Sequence, residues 1–125
     1  MSYSATLKSG KEIYIPEWDV STSLENLTRA GKYLGTDNII HTSALNIPAA
    51  IKGLMEAQDP EQATALIKHF VCQVRIGGQK IIPSNVDELF SAGLAEFIEI
   101  FTHVIHAQYS DFFELGLAKV VSQTA

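Results

Sequence analysis

Residues 94 to 121 carry the pattern that most limits what this chain can become. Set at about 100° per residue, Leu94, Phe97, Ile98, Phe101, Val104, Ile105, Tyr109, Phe112 and Gly116 fall on one broad apolar stripe. Glu96, Glu99, His103, His106, Ser110 and Glu114 fall on the opposite face. The pattern predicts one long helix, or two joined near residues 108–111, and such a stripe must be covered by the rest of the chain. With 125 residues in all, there is room for one core and little more. The expectation is a single, mainly α domain over 1–125, with a hairpin in 1–18 and a helical body in 19–125.

The segments that would cover the stripe carry their own signals. In SATLKSGKEIYI, residues 4–15, Ile13 and Ile15 alternate with Glu12 and Tyr14, and Gly10 supplies the turn of a β-hairpin that Pro16 ends. Val20, Leu24, Leu27, Gly31 and Leu34 then recur at helical spacing, with Thr22 and Glu25 as a capping box and Gly35 as the stop. Residues 36–46 read as a connector with some buried aliphatics. A helix starts near Asn46 to Pro48, with Ile51, Leu54 and Met55 as its apolar face. Asp59-Pro60-Glu61-Gln62 is the clearest helix start, and Ala63, Leu66, Ile67, Phe70, Val71 and Val74 follow on one face. Gly77-Gly78, between two short apolar stretches, predicts a second short hairpin with a type I′ turn. Ser84 and Asp87 open a short helix through Val86, Leu89 and Phe90 toward Gly93.

Chemistry finds little foothold. Glu99, His103 and His106 share a face, but helical zinc sites usually space two histidines at four residues, and this pair stands three apart with no convincing fourth partner. Two histidines beside carboxylates would favour the charged form and make a mild pH-sensitive patch. Cys72 sits in an apolar setting three residues from His69, the spacing of packing residues on one helix, and a lone cysteine suits a reducing compartment. There is no Walker loop, G-x-G-x-x-G or G-x-S-x-G motif, and Gly77-Gly78 lacks the Lys-Ser/Thr pair of a phosphate cradle. The formal charge of −5 weighs against nucleic acid as a partner. No apolar run approaches the length of a membrane span, and MSYSATLKSGK lacks the pattern of a signal peptide. These readings predict a non-enzymatic protein with no metal, no cofactor, no nucleic-acid or membrane partner, and a cytoplasmic location.

What remains is an interaction surface. Four of the six phenylalanines, Phe97, Phe101, Phe112 and Phe113, lie in the last helical region. Adjacent Phe112 and Phe113 point about 100° apart, so burying one, by the stripe Phe112, leaves the other toward the edge of the stripe. Tyr109, Phe112, Phe113 and Leu117 are the candidate partner-binding residues, and Trp18, beside Pro16, is expected to act as a lid on the core. Residues 1–82 contain eight basic and eight acidic side chains, so the whole net charge lies in residues 83–125, where these aromatics gather.

Two segments resemble a known family. LKSGKEIYIPEW, residues 7–18, is similar to the opening of several bacteriophage tail assembly chaperones, and FIEIFTHVIHAQYSDFFELGLAK, residues 97–119, looks like a later segment of such proteins. The resemblance implies a small, non-catalytic protein of the infected cell's cytoplasm. Its implied partner is the tape measure protein, or another tail or baseplate component, kept soluble during tail assembly. The alternative is a small self-assembling tail or virion subunit, and a homo-oligomer is open under both. The family supplies no catalytic residues, so the four candidate contacts rest on the aromatic argument alone.

Overall fold

A computed structural model describes residues 3–89 and 93–124, with side chains for all of these except residues 89 and 116–124. Strands β1 (Tyr3–Thr6) and β2 (Glu12–Ile15) form the first hairpin. Helices α1 (Val20–Leu34), α2 (Thr36–Ser43), α3 (Ile47–Glu56) and α4 (Pro60–Val71) follow. Strands β3 (Arg75–Ile76) and β4 (Gln79–Lys80) make the second hairpin, and α5 (Val86–Leu89) precedes α6 (Leu94–Thr124). The expected continuation of the short helix through Phe90 toward Gly93 falls in part outside the described residues. The mainly α architecture with two hairpins is the one the sequence predicts.

Both hairpins follow from local chemistry. In the first, Tyr3 faces Ile15 and Ala5 faces Ile13, so Ile13 and Ile15 are buried while Glu12 and Tyr14 face outward. In the second, Gly77 and Gly78 take φ values of 55° and 83°, the paired positive values of a type I′ turn that side chains disfavour. The two hairpins also join: Ile13 pairs with Ile76, giving one antiparallel sheet in the order β1-β2-β3-β4.

The helices depart from the sequence reading in instructive ways. Asp19, not Thr22, caps α1, its Oδ1 accepting from the Thr22 N–H at 2.7 Å. The buried side of α1 is Asn26, Ala30 and Leu34, and the outer members of the expected stripe, Val20 and Leu24, are exposed. Residues 36–43, expected as a connector, form α2. Gly35, at φ 91°, breaks the chain away from α1, and α2 starts directly behind it. Its Thr42 and Ser43 hydroxyls donate back to the Asn38 and Ile40 carbonyls. Helix α3 starts where expected, with Asn46 capping it, but its buried residues are Ala49, Ala50 and Gly53. A Cβ at Gly53 would stand 3.1 Å from the Leu34 carbonyl oxygen and 3.4 Å from Asn38 Cβ, so α3 lies close against the end of α1 and the start of α2. The large residues Ile51 and Met55 are thereby turned outward. Helix α4 follows its sequence reading closely: Asp59 caps it and Ala63, Leu66, Ile67, Phe70 and Val71 are buried.

Helix α6 is one continuous helix and the element around which the others gather. It packs on α2, α3, α4 and β2. Ile98, Phe101, Val104, Ile105 and Tyr109 of the predicted stripe are buried. The opposite face is not the solvated surface its charges suggest. Ile100 and Thr102, on its two flanks, are fully buried, and Glu96, Glu99, His103 and His106 are each partly covered. Glu96 accepts from the Ser9 hydroxyl and pairs with Lys11 at 3.2 Å, and Glu99 accepts from the Lys8 N–H, so the hairpin turn is tied to the start of α6. Trp18 lies edge-on to Phe70 at 5.1 Å, where it lids the core, while Gln108 accepts from the Trp18 N–H and donates to the Pro16 carbonyl.

Candidate functional site

The four candidate contact residues are separated by the fold. Tyr109 is only 3% exposed, and its hydroxyl donates to the Ser23 carbonyl at 2.7 Å; burial raises its pKa, so it stays a neutral donor. Phe113 packs against the core, where it shares a cleft with Leu27, Gly31 and Ile39. Phe112, placed by arithmetic on the buried stripe, is instead 58% exposed, so the two adjacent rings exchange the places expected of them. The cause is tertiary: α1 and α2 cover the sector of α6 that holds Tyr109 and Phe113 and leave the Phe112 sector open. Leu115, one turn on, is 65% exposed, and Asp111 and Glu114 beside them have no ion pair among the described residues. The side chain of Leu117 lies outside the described residues.

A second apolar surface lies toward the other end of α6. There α3 and the first turns of α6 enclose an open groove of about 890 Å³ lined by Ile47, Ile51, Leu54, Met55, Leu94 and Ile98. Met55 is 82% exposed and Leu94 73%. The sequence marked the large face of α3 but read it as core. The signal it held was the run of small residues, Ala49, Ala50 and Gly53, which suits close approach to other helices and so turns the large face elsewhere.

The arrangements tested for chemistry take other partners. His106 Nδ1 donates to the Ser43 carbonyl at 2.7 Å, holding α6 to the end of α2. His103 Nδ1 lies 3.1 Å from the Tyr3 hydroxyl. Burial lowers the His103 pKa, and this outweighs the opposing pull of Glu99; neighbouring His106 lowers it further. The charged form is therefore disfavoured there, the reverse of the sequence expectation. Neutral His103 shares this hydrogen bond with the Tyr3 hydroxyl, whose own pKa burial raises. Burial also pushes the Cys72 thiol up, away from the thiolate that a nucleophile requires. Among the described residues no group of three His, Cys, Asp or Glu side chains is placed to hold a metal, and no helix is long and apolar enough to cross a membrane.

Two exposed apolar helix surfaces thus stand among the described residues, one around Phe112 and Leu115 and one along the groove between α3 and α6. Neither the curated proteins nor the solved structures provide a match to the chain. The family model described as phage tail assembly chaperone protein, TAC, matches residues 9–119, from the first hairpin turn into the last turns of α6. That match spans most of the sequence and includes both segments whose resemblance was noted, apart from the first two residues of the earlier one. The chain belongs to the phage tail assembly chaperone family.

Proposed function

We infer that this chain is a non-catalytic chaperone of the infected host's cytoplasm that binds the tape measure protein, or another tail or baseplate component, and keeps it soluble while the tail assembles. Family membership supports the assembly role, and the observation that carries the contact is the open sector of α6 around Phe112. An aromatic ring with most of its surface in water, followed by Leu115 one turn later, gives a client helix the spaced apolar anchors of helix-against-helix recognition. Asp111 and Glu114 keep the same sector hydrated before the client arrives. Tyr109 and Phe113 contribute by holding that end of α6 to α1 and α2, so Phe112, with Leu117 beyond it, is the contact of choice.

Co-expression with the neighbouring tail proteins tests this reading. The expected result is a soluble complex with one of them, lost on Phe112→Ser while helicity and Tm stay near wild type. Absence of any complex, together with no gain in client solubility, rejects it.

A further inference from the structure

Helices α1 and α4 pack side by side and leave an open cleft of about 610 Å³ between them. Tyr33, Ala65 and Leu66 form its apolar part, Arg29, Lys32 and His69 stand along it, and no carboxylate lines it. Among the described residues neither Arg29 nor Lys32 has an ion pair, and the Lys32 ammonium lies instead over the Tyr33 ring, 5.3 Å from its centre. The carboxylates of the adjoining hollow, beyond Lys32, are engaged elsewhere: Glu56 pairs with Lys52 at 3.7 Å and Asp59 caps α4. Glu25, one turn before Arg29, makes no ion pair with it. In a chain of net charge −5 the cleft is thus a basic strip with an apolar floor. Its complement is an exposed helix face with two acids at the spacing of Arg29 and Lys32, three residues or about one turn, beside apolar side chains. The open sector of α6 is such a face. Asp111 and Glu114 are three residues apart, exposed and without ion pairs among the described residues, and Phe112 and Leu115 lie beside them. The two patches do not meet within one chain, because Phe113 ties that end of α6 to the α2 side of α1, whereas the cleft lies on the α4 side.

We propose that the cleft between α1 and α4 receives the Asp111–Leu115 face of α6 from a second copy of this chain. Asp111 and Glu114 meet Arg29 and Lys32, and Phe112 and Leu115 lie over Ala65 and Leu66. The two patches differ, so the contact is head to tail. The proposal shares with the proposed function the premise that the sector around Phe112 is a contact surface. Self-association and client binding then compete for that sector.

A charge exchange on the full chain, followed by sedimentation velocity over a dilution series, tests this. One variant carries Arg29→Glu and Lys32→Glu in the cleft, the other Asp111→Lys and Glu114→Lys on the helix face; all four side chains are exposed, and circular dichroism checks that helicity is kept. Arg29→Gln with Lys32→Gln is a milder cleft variant that removes charge without reversing it. Wild type is expected to form concentration-dependent oligomers at low salt that weaken in about 1 M salt, where the Debye length is about 3 Å. Each reversed variant sets like charges against each other and is expected to associate about tenfold or more weakly. An equimolar mixture of the two reversed variants restores opposite charges at every contact, as does one chain carrying all four substitutions, and both are expected to associate as wild type does. Wild type that stays monomeric throughout overturns the proposal. So does a reversed variant that associates as well as wild type, or a mixture no more associated than its components. Co-expression with the neighbouring tail proteins separates the two readings: wild-type oligomers with no client complex sink the proposed function and leave this contact standing, and a client complex with a monomeric free chain does the reverse.

Discussion

Replacing Phe112 and Phe113 in turn by serine separates surface from core within one turn of α6. Serine and phenylalanine have similar helix propensity, so the difference measures covering by other elements. Phe113 meets Tyr109 at a ring separation of 6.3 Å and lies over Leu27 and Ile39, so its loss opens a gap under α1 and α2. That costs about 2–4 kcal/mol, at or just below the range for truncating a buried phenylalanine. Phe112 is already 58% exposed, and at about 1.5–3 kcal/mol for complete burial its loss costs roughly 1 kcal/mol. For a domain of this size each kcal/mol shifts Tm by about 3–5 °C, so Phe113→Ser is expected to lower Tm by roughly 6–20 °C and Phe112→Ser by no more than about 5 °C. Thermal melts followed by far-UV circular dichroism, with urea midpoints as a check on the slope, provide the comparison. Leu27→Ala combined with Phe113→Ser should cost less than the sum of the two, because the residues share a cleft. Equal losses at the two positions, or a larger loss at Phe112, would refute the assignment of Phe113 to the core.

Three further outcomes follow from other contacts. Gly53→Ala gains about 0.5–1 kcal/mol of helix propensity but presses a methyl onto the Leu34 carbonyl; overpacking of about 1–3 kcal/mol wins, so Tm falls, and Gly53→Val falls further. Gln108→Ala removes both hydrogen bonds that hold the segment around Trp18, and since Trp18 is the only tryptophan its emission should shift to the red with a stability loss of about 1–3 kcal/mol. His103, faced by Tyr3 from β1 and by Glu99 and His106 on its own helix, has a folded pKa below its ordinary 6.5. Its contribution is therefore present above that value and lost as pH falls through the lower folded one. His103→Gln should flatten the fall in Tm between about pH 7.5 and 5.5, and an unchanged slope would count against burial of the ring.

Legibility in the sequence tracks how local the cause is. The Gly77-Gly78 turn and the Asp59-Pro60 helix start are specified by a few adjacent residues, and both stand where expected. Helix α2 is too short to show a period and is rich in Thr, Asn and Ser, and it forms between α1, α3 and α6 because their surfaces cover Ile39 and Thr42. Hydrophobicity alone picks Ile51 and Met55 as the inner face of α3, whereas close approach selects the smaller residues. The charged side of α6 has the same history: glutamates and histidines read as water-facing, yet the hairpin and α2 dock on them. For the candidate site, the region was legible from the gathering of aromatics. Which ring of the Phe112-Phe113 pair is free was not, since that depends on where α1 and α2 stop.

The central position of α6 has a consequence for the order of events during synthesis. Ile13 and Ile15 emerge from the ribosome early, yet the helix on which their strand packs comes last. At about 5–20 residues per second, roughly 5–20 s separate the completion of β2 from the appearance of Tyr109. Throughout that interval the nascent hairpin, and in turn each of the first four helices once made, hold apolar surface that α6 has yet to cover. A member of the tail assembly chaperone family thus passes through an exposed stage of its own, and the packing of its hairpin and earlier helices waits on α6.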